Sequence, residues 1–226
     1  MMVKRVFDAV LAFLGLTVLS PLFLLIAILI KLESKGPVFY RGVRVGRYGK
    51  PFKIFKFRSM VQDAERLGAS STGASDMRVT RCGRFIRKFK LDEFSQLINV
   101  LIGDMSIVGP RPEVQKFVDM YTGEEKVILT LRPGITDWAS IKFHNEGEII
   151  EASGIDDADE AYARLIRPEK LRLQLKYVRE HNLWIDIKII FATLLTILST
   201  RMGGGPIGVP EPSYISQSGM ADKYGS

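Results

Sequence analysis

The sequence predicts an α+β protein: a small cytosolic domain with amphipathic interfacial helices, held at a membrane by an N-terminal re-entrant helix-break-helix. Three observations predict it. Residues 9–30 run for 22 positions without a charge and are interrupted at Ser20-Pro21. Residues 38–58 read as two strands about a Gly-rich turn at 46–51. Phe94, Leu97, Ile98 and Leu101 recur at i, i+3, i+4 and i+7 and stop at Gly103, which marks a short amphipathic helix. On these signals the chain divides into an anchor at 1–36, one domain at 37–200 and a flexible tail at 201–226 rich in Gly, Pro and Ser.

Twenty-two apolar residues in a helix are long enough to cross a bilayer. Proline at the midpoint removes a backbone hydrogen bond and bends the helix, and the Ser20 hydroxyl is placed to satisfy the carbonyl so freed. Lys4 and Arg5 precede the segment, and Lys31 and Lys35 follow it. Because basic flanks favour the cytoplasmic side, cations at both ends are best met by a hairpin that enters and leaves on one face. A straight single span is the rival, since proline also kinks ordinary spanning helices. A cleaved signal peptide is disfavoured because the apolar run continues to Ile30 with no small-x-small site before Lys31.

Beyond the anchor, Arg41, Arg44, Arg47, Lys50, Lys53, Lys56 and Arg58 interleave with Phe52, Phe55 and Phe57. Most of these cations read as solvated surface. Lys56 and Arg58, on one face by strand alternation, are the candidates for phosphate contact. Residues 61–77 are polar and read as a loop, either ordering over substrate or disordered. From 81 to 90 a helix places Arg84, Arg87 and Lys88 on one face and Phe85 and Phe89 on another, with Arg87 either holding phosphate or meeting lipid.

The adjacent acids Asp92 and Glu93 fall in the first turn of the next helix, between this basic run and the turn Gly109-Pro110-Arg111-Pro112. Acids at a helix start often serve only as caps. Here their cationic surroundings favour phosphate handling, in which a carboxylate attacks phosphorus or holds a divalent cation. Two prolines restrict the Arg111 backbone, so its guanidinium can grip a diphosphate at little entropic cost; the alternative is a rigid loop whose arginine pairs with a carboxylate.

A net charge of +7 points to an anionic partner without choosing among lipid headgroups, a nucleotide and nucleic acid. The single cysteine, Cys82, excludes an internal disulfide and a Cys-rich zinc site. The two histidines, His144 and His181, stand in no ligand motif. Residues 146–160 carry seven acids in fifteen positions and read as a solvated loop. Residues 184–201 form an apolar helix that packs on the domain or lies in the membrane interface.

Longer stretches carry a resemblance. They are Phe52-Lys53-Ile54-Phe55-Lys56-Phe57-Arg58-Ser59-Met60, Leu91-Asp92-Glu93, Gln96-Leu97-Ile98-Asn99-Val100-Leu101, Gly103-Asp104-Met105-Ser106-Ile107-Val108-Gly109-Pro110-Arg111-Pro112 and Leu131-Arg132-Pro133-Gly134-Ile135-Thr136-Asp137-Trp138. With the apolar N-terminus they resemble the bacterial monotopic phosphoglycosyl transferases, in the small form that carries the catalytic domain alone, over about residues 3–200. Lys90 and Asp137 depart from that pattern, which has a small hydroxyl residue and a glycine there, and leave the sugar preference open.

The resemblance implies transfer of a phosphosugar from a nucleotide (UDP) diphosphosugar to polyprenol (undecaprenyl) phosphate at the cytoplasmic face of the bacterial inner membrane. It implies that Asp92 attacks the sugar-linked phosphate and releases nucleoside monophosphate, leaving an aspartyl phosphosugar for the acceptor. Glu93 would bind Mg²⁺, and Arg87 and Arg111 would stabilise the phosphates. The expected partners are donor, acceptor and membrane lipids, without nucleic acid; homodimerisation stays open. Two other classes compete: a membrane-tethered basic module binding anionic lipid or nucleic acid, and a nucleotide-sugar glycosyltransferase that releases diphosphate.

Overall fold

The computed structural model describes residues 2–64, 76–201 and 204–209. The loop expected at 61–77 and the tail expected at 201–226 therefore fall largely outside the described residues. The architecture is α+β and mostly helical.

Helix α1 (Met2–Glu33) runs through Pro21 without a gap. Proline has no N–H to give the Thr17 carbonyl, and the Ser20 hydroxyl donates to it instead at 2.8 Å. One stripe of α1, comprising Asp8, Ala12, Leu16, Leu19, Phe23, Ile26 and Ile30, lies on the rest of the molecule along the whole helix. Its other faces leave Val6, Val10, Phe13, Val18, Leu25 and Leu32 exposed.

Both ends of α1 are tied down. Lys4 pairs with Asp186 at 2.5 Å, Arg5 donates to the carbonyls of Val100 and Leu101 at 2.6 and 2.9 Å, and Asp8 accepts from Ser106 Oγ and Ile107 N. At the far end, Glu33 accepts from Arg81 N and Cys82 N at 2.7 and 2.9 Å, while Arg58 donates to the carbonyls of Lys35 and Ser34 at 2.7 and 2.9 Å.

Four short strands follow: β1 (Phe39–Tyr40), β2 (Val43–Val45), β3 (Pro51–Lys53) and β4 (Lys56–Phe57). The hairpin of β2 and β3 matches the expected strand, turn and strand, and β1 pairs antiparallel with β4 outside it. Next come α2 (Arg81–Lys88), α3 (Leu91–Phe94) and α4 (Leu97–Ile102), the last ending at Gly103 with φ +100°. On α2 the Phe85 and Phe89 rings meet at 4.8 Å, as their spacing predicts.

The face expected to be buried in this region is corrected. Ser95, Gln96 and Asn99 are buried together with Leu97 and Val100, whereas Leu101 and Ile102 are exposed. The inward face tolerates Ser95 and Asn99 because both are bonded. Ser95 Oγ donates to Phe55 O at 3.0 Å, and Asn99 donates to Lys53 O at 2.9 Å while accepting from Phe55 N at 2.7 Å.

Strand β5 (Ser106–Val108) is joined in parallel by β6 (Gly134–Thr136), with α5 (Gln115–Val118) in the connection between them. Gly109 and Gly134 bring the two backbones into contact. A Cβ on Gly134 would lie 2.1 Å from Gly109 N, a distance no side chain can occupy. Helices α6 (Trp138–Lys142), α7 (Glu146–Ala152), α8 (Ala158–Ala161), α9 (Arg167–Glu180) and α10 (Leu183–Arg201) complete the chain order.

The acidic run at 146–160 is thus helical in α7 and α8. Glu148, Glu151, Asp156, Asp157 and Glu160 face solvent, while Ile150 and Ala161 pack with Phe117, Tyr162 and Ile166. Helix α10 packs through Ile189 and Ala192 onto Val108, Trp138, Leu173 and Tyr177, and leaves Trp184, Phe191, Leu194, Leu195 and Leu198 exposed. Residues 204–209 return along it: Ile207 N donates to Thr196 Oγ1 at 3.0 Å, and Val209 joins that cluster.

Candidate active site

Asp92 and Glu93 occupy α3 directly after Lys90, whose φ of +55° turns the chain from basic α2 into this acidic turn. The two carboxylates are partnered differently. Asp92 is buried, its Oδ2 lies 3.1 Å from Lys56 Nζ, and its Oδ1 has no hydrogen-bond partner. Glu93 is held on both oxygens. Arg111 Nη1 donates to Oε2 at 3.0 Å, Arg111 Nη2 donates to Oε1, and Lys56 Nζ reaches Oε1 at 3.2 Å.

Each cation is positioned by backbone that packing has fixed. Lys56 opens β4, one residue beyond the Phe55 peptide that Ser95 and Asn99 hold. Arg111 follows the close contact of Gly109 and Gly134, where Gly134 N donates to Pro110 O at 2.9 Å. Arg87 projects from α2, donating to Ser59 Oγ at 2.8 Å, within the field of Asp92.

Burial alone would push the Glu93 carboxyl up, but Arg111 and Lys56 outweigh it and hold the group well below the usual carboxylate range. Burial likewise opposes charge on Lys56, and Asp92 and Glu93 reverse that, so its ammonium ends above its ordinary value. Burial pulls the Arg87 guanidinium down, with Asp92 partly restoring it. Glu93 and Lys56 therefore stay charged across neutral pH.

Of the cations expected at phosphate, Lys56, Arg87 and Arg111 surround the two acids. Arg58 does not join them. It is buried, and its guanidinium serves Ser34 Oγ and the carbonyls of Ser34 and Lys35 just past α1, where the chain leaving a helix needs donors. Strand alternation gave Arg58 a face shared with Lys56, but the end of α1 occupies its guanidinium.

Several residues escaped the sequence reading. Asn99 was legible only as part of a motif, and Ser95 falls between two of them. Asp137 accepts from Arg111 N and Gln174 Nε2, both at 3.2 Å, and from Ser140 N at 2.6 Å. Behind Pro112, Lys170 donates to Tyr162 OH at 2.7 Å and lies 3.2 Å from Glu113, and Tyr162 donates to Glu113. These three positions are too far apart in sequence for any local signal to join them.

Among the described residues no three Asp, Glu, His or Cys side chains gather as a metal site. The hard oxygen donors of this cluster are those of Asp92 and Glu93, and Arg111 and Lys56 engage all of them except Asp92 Oδ1.

A sequence profile for bacterial sugar transferases matches residues 1–200. The chain belongs to the bacterial sugar transferase family. Within that family it is 41% identical over 200 residues to the UDP-N-acetylgalactosamine-undecaprenyl-phosphate N-acetylgalactosaminephosphotransferase of Aeromonas hydrophila, covering 87% of this chain and 44% of that one. It is 39% identical over 202 residues to the UDP-glucose:undecaprenyl-phosphate glucose-1-phosphate transferase of Escherichia coli (strain K12), covering 85% of this chain and 39% of that one. An uncharacterized sugar transferase of Bacillus subtilis (strain 168) is 33% identical over 198 residues, 88% of each chain. The chain thus spans less than half the length of the first two relatives and most of the third.

The Glu93 pairing gives one expected result on stability. A carboxyl depressed in the folded state stabilises the fold above its unfolded pKa of about 4.3, and the gain is lost as pH falls through the folded value. Glu93→Gln should cost on the order of 1–3 kcal/mol near pH 7 by urea unfolding. The deficit should close in strongly acid solution; one that is independent of pH would mean the loss is packing, not charge.

Proposed function

We propose that the protein transfers a sugar 1-phosphate from a UDP-sugar to undecaprenyl phosphate, releasing UMP, at the cytoplasmic face of the membrane, and so begins polysaccharide synthesis. The observation that carries this reading is the unequal partnering of the two acids: Glu93 is engaged on both oxygens, whereas Asp92 Oδ1 is buried without a hydrogen-bond partner. The names of the relatives supply the substrate class.

Asp92 Oδ1 attacks the sugar-bearing phosphorus and breaks its bond to the bridging oxygen, which leaves on UMP. A phosphate oxygen of the acceptor then attacks the same phosphorus and breaks the aspartyl bond, restoring Asp92. Both nucleophiles are anions, so no separate base is needed. Lys56 offsets the charge of Asp92 as the anionic donor approaches, and Arg111 exchanges part of its pairing with Glu93 for the diphosphate, as Arg87 assists from α2. Mg²⁺, when bound, would be held by Glu93 and would offset diphosphate charge.

Purified protein given a panel of UDP-sugars and undecaprenyl phosphate should release UMP in step with lipid product for one donor. Release of UDP would overturn the reading in favour of simple glycosyl transfer.

The anchor belongs to the same proposal. Lys4 and Arg5 at one end of α1, and Glu33, Ser34 and Lys35 at the other, all bond the one domain, which supports a re-entrant anchor bent at Ser20-Pro21 with both ends cytoplasmic. In a chain with Cys82 replaced by Ala, Val3→Cys and Lys35→Cys should both resist an impermeant thiol reagent in intact cells and react after permeabilisation. Labelling of only one in intact cells would establish a spanning helix.

A further inference from the structure

Asp137 is only 1% exposed, and its hydrogen bonds come from Arg111 N, Ser140 N and Gln174 Nε2, none of them a cationic group. A buried carboxylate without a direct cationic partner is costly to keep unless its charge acts on something nearby. The nearest use is Arg111. Asp137 Oδ2 receives the Arg111 N–H at 3.2 Å, and Gln174, itself bonded to that oxygen, donates to the Arg111 carbonyl at 3.4 Å. Both polar groups of a single peptide unit's flanking residue are thereby gripped from one buried pair.

We propose that Asp137, with Gln174 behind it, is a positioning residue for Arg111, fixing its backbone and placing a negative charge near its guanidinium so that it can leave Glu93 for the donor diphosphate without shifting. This rests on the transferase reading. The two oxygens divide the work: Oδ1 caps α6 through Ser140 N, and Oδ2 serves Arg111. That division makes the positioning role separable from the cap. In Asp137→Asn the remaining oxygen can stay on Ser140 N, and Gln174 can turn its unpartnered Oε1 to accept from the new amide. The Arg111 N–H then loses its acceptor and the Arg111 carbonyl its long bond from Gln174, so both holds on the Arg111 backbone go, and with them the carboxylate, while the cap stays.

The test is calorimetric binding of UDP to the full chain in detergent, with Asp137→Asn placed in wild-type and Arg111→Met backgrounds. Asp137→Asn should weaken binding about tenfold in the wild-type background and have no further effect in Arg111→Met. In turnover it should raise the donor KM by a similar factor with kcat within about twofold. Gln174→Met, which leaves the cap and the charge in place, should give a smaller effect with the same dependence on Arg111. An equal loss in both backgrounds, or a lower unfolding midpoint with unchanged UDP affinity, overturns the proposal and leaves Asp137 as a cap. Because the readout is binding, the result holds whether or not wild-type protein releases UMP.

Discussion

Asp92→Asn should reduce phosphosugar transfer by on the order of 10⁴-fold or more while leaving the fold and membrane insertion nearly unchanged. The amide matches the carboxylate in size, still packs in the first turn of α3, and leaves Lys56 its contact with Glu93. What it removes is the anionic oxygen that stands without a partner. The companion measurement is mass spectrometry after incubation with donor alone: a peptide containing Asp92 should gain one phosphosugar, with UMP released in equal amount. Turnover that requires both substrates together, with no adduct and no ping-pong pattern, would sink the covalent route even if UMP were the product.

The second large effect is structural. Gly134→Ala forces a methyl group to 2.1 Å from the backbone nitrogen of Gly109, and backbone on both sides cannot step aside as a flexible side chain would. We expect a loss on the order of 3 kcal/mol or more by urea unfolding, with weakened UDP binding as the Arg111 turn shifts. Gly123→Ala is the control, since a Cβ there meets nothing within 4 Å, and it should change stability by less than about 0.5 kcal/mol. Equal effects at the two positions would show that β5 and β6 have room to part.

Features fixed by near neighbours in sequence were legible before the fold was known. Ser20 relieves the carbonyl that Pro21 leaves free, Phe85 meets Phe89 one turn on, and Gly103 ends α4. The acid pair was legible because its members are adjacent, and Arg111 because two prolines frame it. What failed were inferences about which face meets what. Periodicity identified the apolar stripe through Ile98 and Leu101 but could not foresee that Ser95 and Asn99 would be turned inward to hold the Phe55 peptide. Alternation aligned Arg58 with Lys56, yet the end of α1, twenty-odd residues earlier, had a stronger demand on it. The acidic run looked like a loop because charge is visible in sequence, whereas Ile150 and Ala161, which turn it into packed helices, are sparse among the acids. Asp137 and Gln174 meet only through the tertiary fold.

The ties at the two ends of α1 also bear on kinetics. A helix fastened to its domain at Lys4, Arg5 and Asp8, and again at Glu33 and Ser34, gives that domain little swivel, so in the proposed arrangement the site keeps its tilt relative to the membrane that the anchor enters. For the proposed reaction, the two substrates then arrive by different geometries: the soluble donor from three dimensions, the lipid acceptor by diffusion in a plane at constant depth. The rate of the second step would follow acceptor density per unit area, so diluting the vesicles at a fixed lipid mole fraction should leave it unchanged, whereas adding inert lipid to each vesicle should slow it.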